Sequence, residues 1–375
     1  MSKGIGVGLI GMGTVGGGVA KLLADSPLAM QRRKNATFDL RTVAVRDASK
    51  SRPVGLDGVV LTTDAMEVVR NPEVQVVVEL TGAPPAYEWI RAALEAGKDV
   101  VTANKAVIAE HGEELFHIAL DRQVELMFEA SVAAGIPIIR SLRTGLVANE
   151  VKSLYGILNG TTNYILTRMS RGEGTYGEIL ADAQQAGYAE PDPTMDVSGM
   201  DAAQKLSILS RIAFHTNGTA ADVYCEGVEL IELGDIEYAR ELGYTVKLLA
   251  IAKRAGAGVE ARVHPAMIPS DSLLANIHNE FNAIEVDGSA VGTQVFYGRG
   301  AGEMPTSSAV VADMVELAER KQAGAGSAIG DMVVEEGGSF VDISQSELRY
   351  YLSLLVQDRP GVLEQIARIL SQENI

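Results

Sequence analysis

Three glycines carry the first chemical signal: Gly11, Gly13 and Gly16 stand at the G-x-G-x-x-G spacing of a dinucleotide fingerprint, directly after the apolar run 5–10. Gly11 permits a tight turn off a strand, Gly13 leaves room for a pyrophosphate against the backbone, and Gly16 lets the next helix lie close to the sheet. A helix opening at Thr14 and Val15 aims its first amides at the phosphates. Further on, the groups suited to proton transfer are lysines. The five histidines stand singly, outside any motif. Lys105 follows an apolar run read as a parallel strand, at the end where ligands gather in a doubly wound sheet. Lys205 comes four residues after Asp201, on the same helix face. Glu190, Asp192 and Asp196 precede that pair in a proline-broken loop. Such a cluster can protonate an alkoxide as a hydride arrives, and it suits a substrate bearing both an ammonium and a carboxylate. The plainer reading of Asp201 and Lys205 is an exposed ion pair worth under about 1 kcal/mol.

The residues after the second strand bear on which dinucleotide fits. An acid there takes the ribose hydroxyls of NAD, and a cation takes the extra phosphate of NADP. The chain offers Arg46, Asp47 and Lys50. Arg46 and Lys50 would clamp a phosphate, the arginine through paired N–H bonds. NADP(H) is therefore favoured, with NAD(H) open because of Asp47. Two solvated surface cations are the alternative. Thr81, Gly82 and Ala83 lie at a further strand end and join the candidate cofactor set.

These residues must be held by alternating strands and helices. Runs at 5–10, 38–45, 59–62, 76–80, 99–102 and 124–128 read as strands, with helical patterns at 14–23, 84–96 and 110–121 between them. That rhythm predicts an α/β fold with a doubly wound parallel (Rossmann) sheet over 1–137. From 138 to 321 the pattern becomes an α+β substrate and dimerisation domain. Strands are expected at 151–158, 244–254, 259–267 and 294–297, and helices at 161–170, 176–186, 201–213 and 307–321. The last helix is expected to fold back on the nucleotide domain. The stretch 188–196 is expected to hold no regular helix, because two prolines interrupt it. Residues 322–345 read as a Gly/Ser/acid-rich linker, and 347–356 and 361–370 as one strand and one amphipathic helix, too little to bury a core alone.

Composition narrows the class. With 375 residues and 47% hydrophobic content, the chain can bury large cores. A net charge of −17 argues against nucleic acid or an anionic membrane as partner. The single cysteine, Cys225, excludes an intrachain disulfide and a cysteine-rich zinc site, and suits a reducing cytoplasm. No cleavable leader is expected, since Met1 leads at once into the fingerprint strand, and no uncharged apolar run reaches membrane-spanning length.

Several stretches, in order, resemble homoserine dehydrogenase. They are Gly-Leu-Ile-Gly-Met-Gly-Thr-Val-Gly (8–16), Glu-Leu-Thr-Gly (79–82), Thr-Ala-Asn-Lys-Ala (102–106) and Glu-Ala-Ser-Val-Ala-Ala-Gly-Ile-Pro-Ile-Ile (129–139). Leu-Asn-Gly-Thr-Thr-Asn-Tyr-Ile-Leu (158–166), Gly-Tyr-Ala-Glu-Pro-Asp-Pro (187–193), Asp-Ala-Ala-Gln-Lys (201–205) and Gly-Arg-Gly-Ala-Gly (298–302) complete the set. The resemblance implies reversible NAD(P)-dependent interconversion of L-aspartate 4-semialdehyde and L-homoserine, on the route to threonine and methionine. It implies Lys205 as proton donor and Lys105 as a second lysine near the nicotinamide. Glu190 would hold the substrate amino group, with Asp196, Asp201, Gly160, Thr161 and Tyr188 lining the pocket and Gly302 near the cofactor. Glu129, Val132, Ala134 and Ile136 would form a Na+ or K+ site, mostly through backbone carbonyls, the hard oxygen ligands such an ion prefers. A homo-oligomer, dimer or tetramer, is implied as well. Residues 351–363 resemble the start of an ACT domain, a module that can bind a regulatory amino acid. Only its first strand and helix are present, so truncation is the expectation and an intact effector site is not. From the residues alone, another two-domain Rossmann oxidoreductase or a non-enzymatic NADP(H) sensor stays open.

Overall fold

The computed structural model describes residues 4–25, 27, 30, 34–50, 52, 56–187, 189–334 and 337–375. Residues up to Ser344 form one compact unit, and Gln345–Ile375 form another.

The first sheet contains β1 (Ile5–Ile10), β2 (Phe38–Ala44), β3 (Val60–Thr62), β4 (Val76–Glu79), β5 (Asp99–Thr102) and β6 (Leu126–Met127), in the order β3-β2-β1-β4-β5-β6. Every pairing in it is parallel. Helices α1 (Thr14–Asp25), α2 (Ala65–Arg70), α3 (Ala86–Glu95) and α4 (Lys105–Arg122) connect the strands. Because side chains alternate across a strand, Val76 and Val78 pack with Leu9, Val310, Met314 and Leu317 on one side. Val77 packs with Val68, Ile90, Leu94 and Phe116 on the other. Both faces are covered, which is why these strands read as unbroken apolar runs.

The second sheet holds β7 (Val151–Ile157), β8 (Tyr224–Cys225), β9 (Tyr244–Ala255), β10 (Gly258–Pro269), β11 (Phe281–Gly288) and β12 (Gly292–Arg299), in the order β12-β11-β7-β9-β10-β8. All its pairings are antiparallel except β10 with β8. Around it lie α5 (Gly160–Ser170), α6 (Tyr176–Gln185), α7 (Met200–Phe214) and α8 (Leu233–Glu241). Helix α9 (Glu303–Gln322) returns to the first sheet, where Ser307 Oγ donates to the Val15 carbonyl at 2.9 Å.

Three expectations need correction. First, α4 begins at Lys105, not near 110, because the Asn104 side chain accepts from the Val107 amide at 3.2 Å and caps the helix there. Second, a helical turn, Thr194–Val197, starts directly after Pro193; proline is excluded from helix interiors but not from a helix start. Third, part of the stretch 322–345 is packed down rather than free: Ile329, Met332 and Val334 are buried, and the Asn217 side chain donates to the Val334 carbonyl.

The C-terminal unit departs further. Its helix forms as α10 (Val362–Gln372), but 347–356 contain no strand. A strand needs a ladder partner, and none of the described strands pairs with this segment, whose Tyr350 and Leu355 side chains are exposed. Strand β11 and helix α8 have no counterpart among the expected elements.

Candidate active site

The fingerprint turn has the geometry a pyrophosphate needs. Gly11 adopts φ +94°, a left-handed conformation that side chains disfavour. A Cβ on Gly16 would lie 2.1 Å from the Gly11 carbonyl oxygen, so the first turn of α1 closes tightly on the strand end. A Cβ on Gly13 would meet nothing within 4 Å, so the space beside its backbone is open where phosphate would approach. Thr14 and Val15 begin α1 at that point. Gly302, at φ +120°, precedes α9, whose Ser307 touches the same helix. A nicotinamide dinucleotide fits this cradle.

Ala44 is in register with Ile10, so the segment after β2 runs out beside the fingerprint. Arg46 and Lys50 are exposed there. The Asp47 carboxylate, which leaves NAD open in the sequence, accepts from Ser49 N at 2.9 Å and Ser49 Oγ at 2.6 Å. Those bonds hold its carboxyl below the usual range. Arg52, which no sequence pattern singles out, donates to the Asp47 and Lys50 carbonyls at 2.6 and 2.7 Å and folds the loop.

The lysines converge. Lys105 Nζ lies 3.2 Å from Asp201 Oδ1, and Lys205 Nζ lies 2.7 Å from Asp201 Oδ2. Lys205 also donates to the Leu158 carbonyl at 2.7 Å. Lys105 is the first residue of α4, where a cation opposes the helix dipole; the buried Asp201 carboxylate compensates it. Burial pushes the Asp201 carboxyl up, but Lys205 and Lys105, with hydrogen bonds from Lys205 and Asn159, pull it down to about 2. An expectation of an ordinary exposed pair for Asp201 and Lys205 is overturned, because both side chains are largely buried.

Asn159 ties the remaining acids in. Its Oδ1 caps α5 by accepting from Thr162 N at 2.9 Å, and its Nδ2 donates to Asp196 at 2.7 Å and Asp201 at 2.9 Å. Thr161 Oγ1 donates to Asp196 at 3.2 Å. Gly160, the first residue of α5, would clash through a Cβ with the Glu280 carbonyl at 2.8 Å. An asparagine directly before a helical pattern is a capping signal, and that is the mark in the sequence that points to Asn159. Glu190 is exposed, with its backbone carbonyl accepting from Gln184 Nε2 at 3.1 Å. Tyr188 lies outside the described residues.

The loop after β6 buries Glu129, Val132, Ala134 and Ile136, and turns through Ala133 at φ +48°. The Glu129 side chain is already engaged, accepting from Ile139 N at 2.9 Å and Arg140 N at 2.8 Å. Burial pushes the Glu129 carboxyl up, against those two hydrogen bonds.

A parallel sheet ending in an open glycine cradle, with lysines from two halves of the chain sharing one buried carboxylate, defines a nicotinamide-dependent oxidoreductase built on a Rossmann fold. The family model for homoserine dehydrogenase matches residues 137–315, and that for the homoserine dehydrogenase NAD-binding domain matches residues 11–129. The chain is 40% identical to the homoserine dehydrogenase of Neisseria gonorrhoeae, over 100% of this chain and 87% of that one. It is 43% identical to that of Corynebacterium glutamicum, over 99% and 84%. A homoserine dehydrogenase structure from Thiobacillus denitrificans superposes with a TM-score of 0.90 at 42% identity, covering 99% of this chain and 86% of that one. A hyperthermophilic archaeal homoserine dehydrogenase mutant, solved in complex with NADPH, is 25% identical with a TM-score of 0.72, over 84% and 98%.

The chain belongs to the homoserine dehydrogenase family. It is an NAD(P)-dependent oxidoreductase acting on a CH–OH group of a small molecule. Among the described residues no helix is long and apolar enough to cross a membrane.

Proposed function

We propose that Lys205 protonates the substrate oxygen and that Lys105 works beside it at the nicotinamide, in the reduction of L-aspartate 4-semialdehyde to L-homoserine. The observation that carries this is the shared carboxylate: buried Asp201 holds one ammonium from each sheet's helices within 3.2 Å. Reduced nicotinamide, bound at the fingerprint, supplies the hydride. The carbonyl oxygen gains negative charge as that hydride arrives, and a fixed N–H donor lowers the cost. An ammonium has three N–H donors. Two on Lys205 are engaged by Asp201 and the Leu158 carbonyl, which fixes the direction we assign to the third, towards that oxygen.

Glu190 at the loop mouth takes the substrate amino group, with Asp196, Gly160 and Thr161 shaping the pocket; Tyr188 joins on sequence alone. The cofactor set is Gly11, Gly13, Thr14, Val15, Gly16, Thr81, Gly82, Ala83, Lys105 and Gly302. Arg46 and Lys50 favour NADP(H), a preference supported by the engagement of Asp47 with Ser49. The loop carrying Glu129, Val132, Ala134 and Ile136 holds a monovalent cation on its carbonyls, supported by its burial and its turn at Ala133. A cytoplasmic homo-oligomer, with a nucleotide-binding domain to about 137, a substrate domain after it and an incomplete ACT-like end, completes the proposal.

The test is reduced-nicotinamide oxidation with L-aspartate 4-semialdehyde, with NADPH and NADH run in parallel. Faster oxidation of NADPH is expected, and Arg46→Ala with Lys50→Ala narrows the ratio. Lys205→Ala abolishes turnover while NADPH still binds. Undiminished turnover in that variant would remove Lys205 from the mechanism, and equal rates in sodium, potassium and tetramethylammonium salts would remove the cation.

A further inference from the structure

Glu79 has no part in the assignments above, yet it is a fully buried carboxylate at the carboxyl end of β4. Its partners are specific. Oε1 accepts from Thr81 N and from Thr81 Oγ1, each at 2.7 Å. Oε2 accepts from Thr102 Oγ1 at 2.9 Å, across to the end of β5. Each threonine hydroxyl passes the bond on: Thr81 Oγ1 accepts from Ala83 N at 3.0 Å, and Thr102 Oγ1 accepts from Asn104 N at 3.0 Å. One carboxylate thus orients two equivalent turns. The first turn is Thr81-Gly82-Ala83, on the cofactor side. The second ends in Asn104, which caps α4 and thereby sets its first residue, Lys105.

We propose that Glu79 is the positioning residue that registers the cofactor loop against Lys105. Only an acceptor serves at this point. A hydroxyl has one proton to donate and two lone pairs to accept with; each threonine gives its proton to Glu79 and accepts from the backbone two residues on. A glutamine would keep its oxygen on the two Thr81 donors and turn its amide N–H towards Thr102 Oγ1. That hydroxyl already accepts from Asn104 N, and its own proton would be left without the acceptor it now has. The cofactor arm stays and the lysine arm is broken. Buried groups left unpaired shift to find partners, and displacement by about 1 Å at a reacting centre costs as much as a hundredfold in rate.

The inference rests on Lys105 acting at the reaction centre, which Lys105→Ala tests separately. The experiment compares Glu79→Gln, Thr102→Val and the double variant in the full-length enzyme, with kcat, both KM values and the melting temperature measured for each. Glu79→Gln is expected to lower kcat about tenfold to a hundredfold with KM for the dinucleotide little changed. Thr102→Val breaks the same arm from its other end, so the double variant falls no further than either single one. Thr102→Ser keeps the hydroxyl and restores most of the kcat lost in Thr102→Val. Thr81→Val breaks the other arm and raises KM for the dinucleotide instead. Multiplying effects of Glu79→Gln and Thr102→Val, or a kcat loss matched by an equal KM rise in both, would overturn the proposal. If Glu79→Gln does not fold, the Thr102→Val and Thr102→Ser pair decides alone: equal kcat in the two overturns it. If Lys105→Ala keeps full turnover while Glu79→Gln loses kcat, the reading of Lys105 fails and the clamp acts through another group.

Discussion

The glycines of the fingerprint share a residue type but not a constraint, so their substitutions separate. Gly13→Ala adds a methyl group into open space. It is expected to leave the melting temperature little changed while weakening NADPH binding by about tenfold or more, because the methyl would occupy the space beside the backbone that the proposal gives to the pyrophosphate. Gly16→Ala drives a Cβ to 2.1 Å from the Gly11 carbonyl. It is expected to cost about 1–3 kcal/mol of stability as well as binding. Urea unfolding alongside fluorescence titration with NADPH checks both; equal stability in the two variants would contradict the geometry. Asp201 makes a prediction of the opposite kind. Its carboxyl sits at about 2 in the folded chain, against an ordinary value near 3.9 unfolded. A depressed acid contributes stability that is fully present above the unfolded value and is lost as pH falls through the folded one. Stability conferred by Asp201 should therefore drain away from about pH 4 towards pH 2. Asp201→Asn should flatten that part of the acid limb and lower stability at neutral pH, because it leaves the largely buried Lys205 ammonium without its carboxylate partner. Denaturation series across that range, run on both proteins, give the answer.

At the scale of elements, α9 braces the nucleotide-binding sheet although it lies far along the chain. Ser307 bonds the Val15 carbonyl on α1, and Asp313 Oδ2 accepts from Glu129 N at 2.9 Å in the loop after β6. Where α9 crosses α1, Gly18 leaves no room: a Cβ there would lie 2.4 Å from Ser307 Oγ and 3.0 Å from Glu303 Cγ. Gly18→Ala is expected to destabilise by about 1–3 kcal/mol through overpacking, despite the better helix propensity of alanine. NADPH affinity should fall with it, since α1 carries the phosphate-facing amides. Gly17, one residue earlier, has nothing within 4 Å of such a Cβ. Gly17→Ala serves as the control and should be neutral or slightly stabilising in the same thermal unfolding assay.

At the scale of the molecule, every side chain of the described site belongs to the unit that ends at Ser344. Removal of residues 346–375 is accordingly expected to leave kcat and both KM values unchanged, measured by NADPH oxidation on the shortened chain. A large loss of kcat would show that the C-terminal unit supports the site. Local pattern alone reveals the alternation of strands and helices in the first half and the glycine turn. It reveals the helix face shared by Asp201 and Lys205 as well. All of these follow from local periodicity and spacing, which survive without knowledge of the partners. Family resemblance, carried by short motifs, reached Lys105 and Lys205 together. Only folding brings both lysines to Asp201, joins Asp196 to Asp201 through Asn159, and turns Asp47 to Ser49 rather than outward. Folding also buries Ile329, Met332 and Val334 in a stretch that reads as a linker, and it leaves 347–356 without a ladder. The reason is common to all of them. A hydrogen bond, an ion pair or a strand ladder joins residues distant in the chain, and no local pattern records which partner stands across the gap.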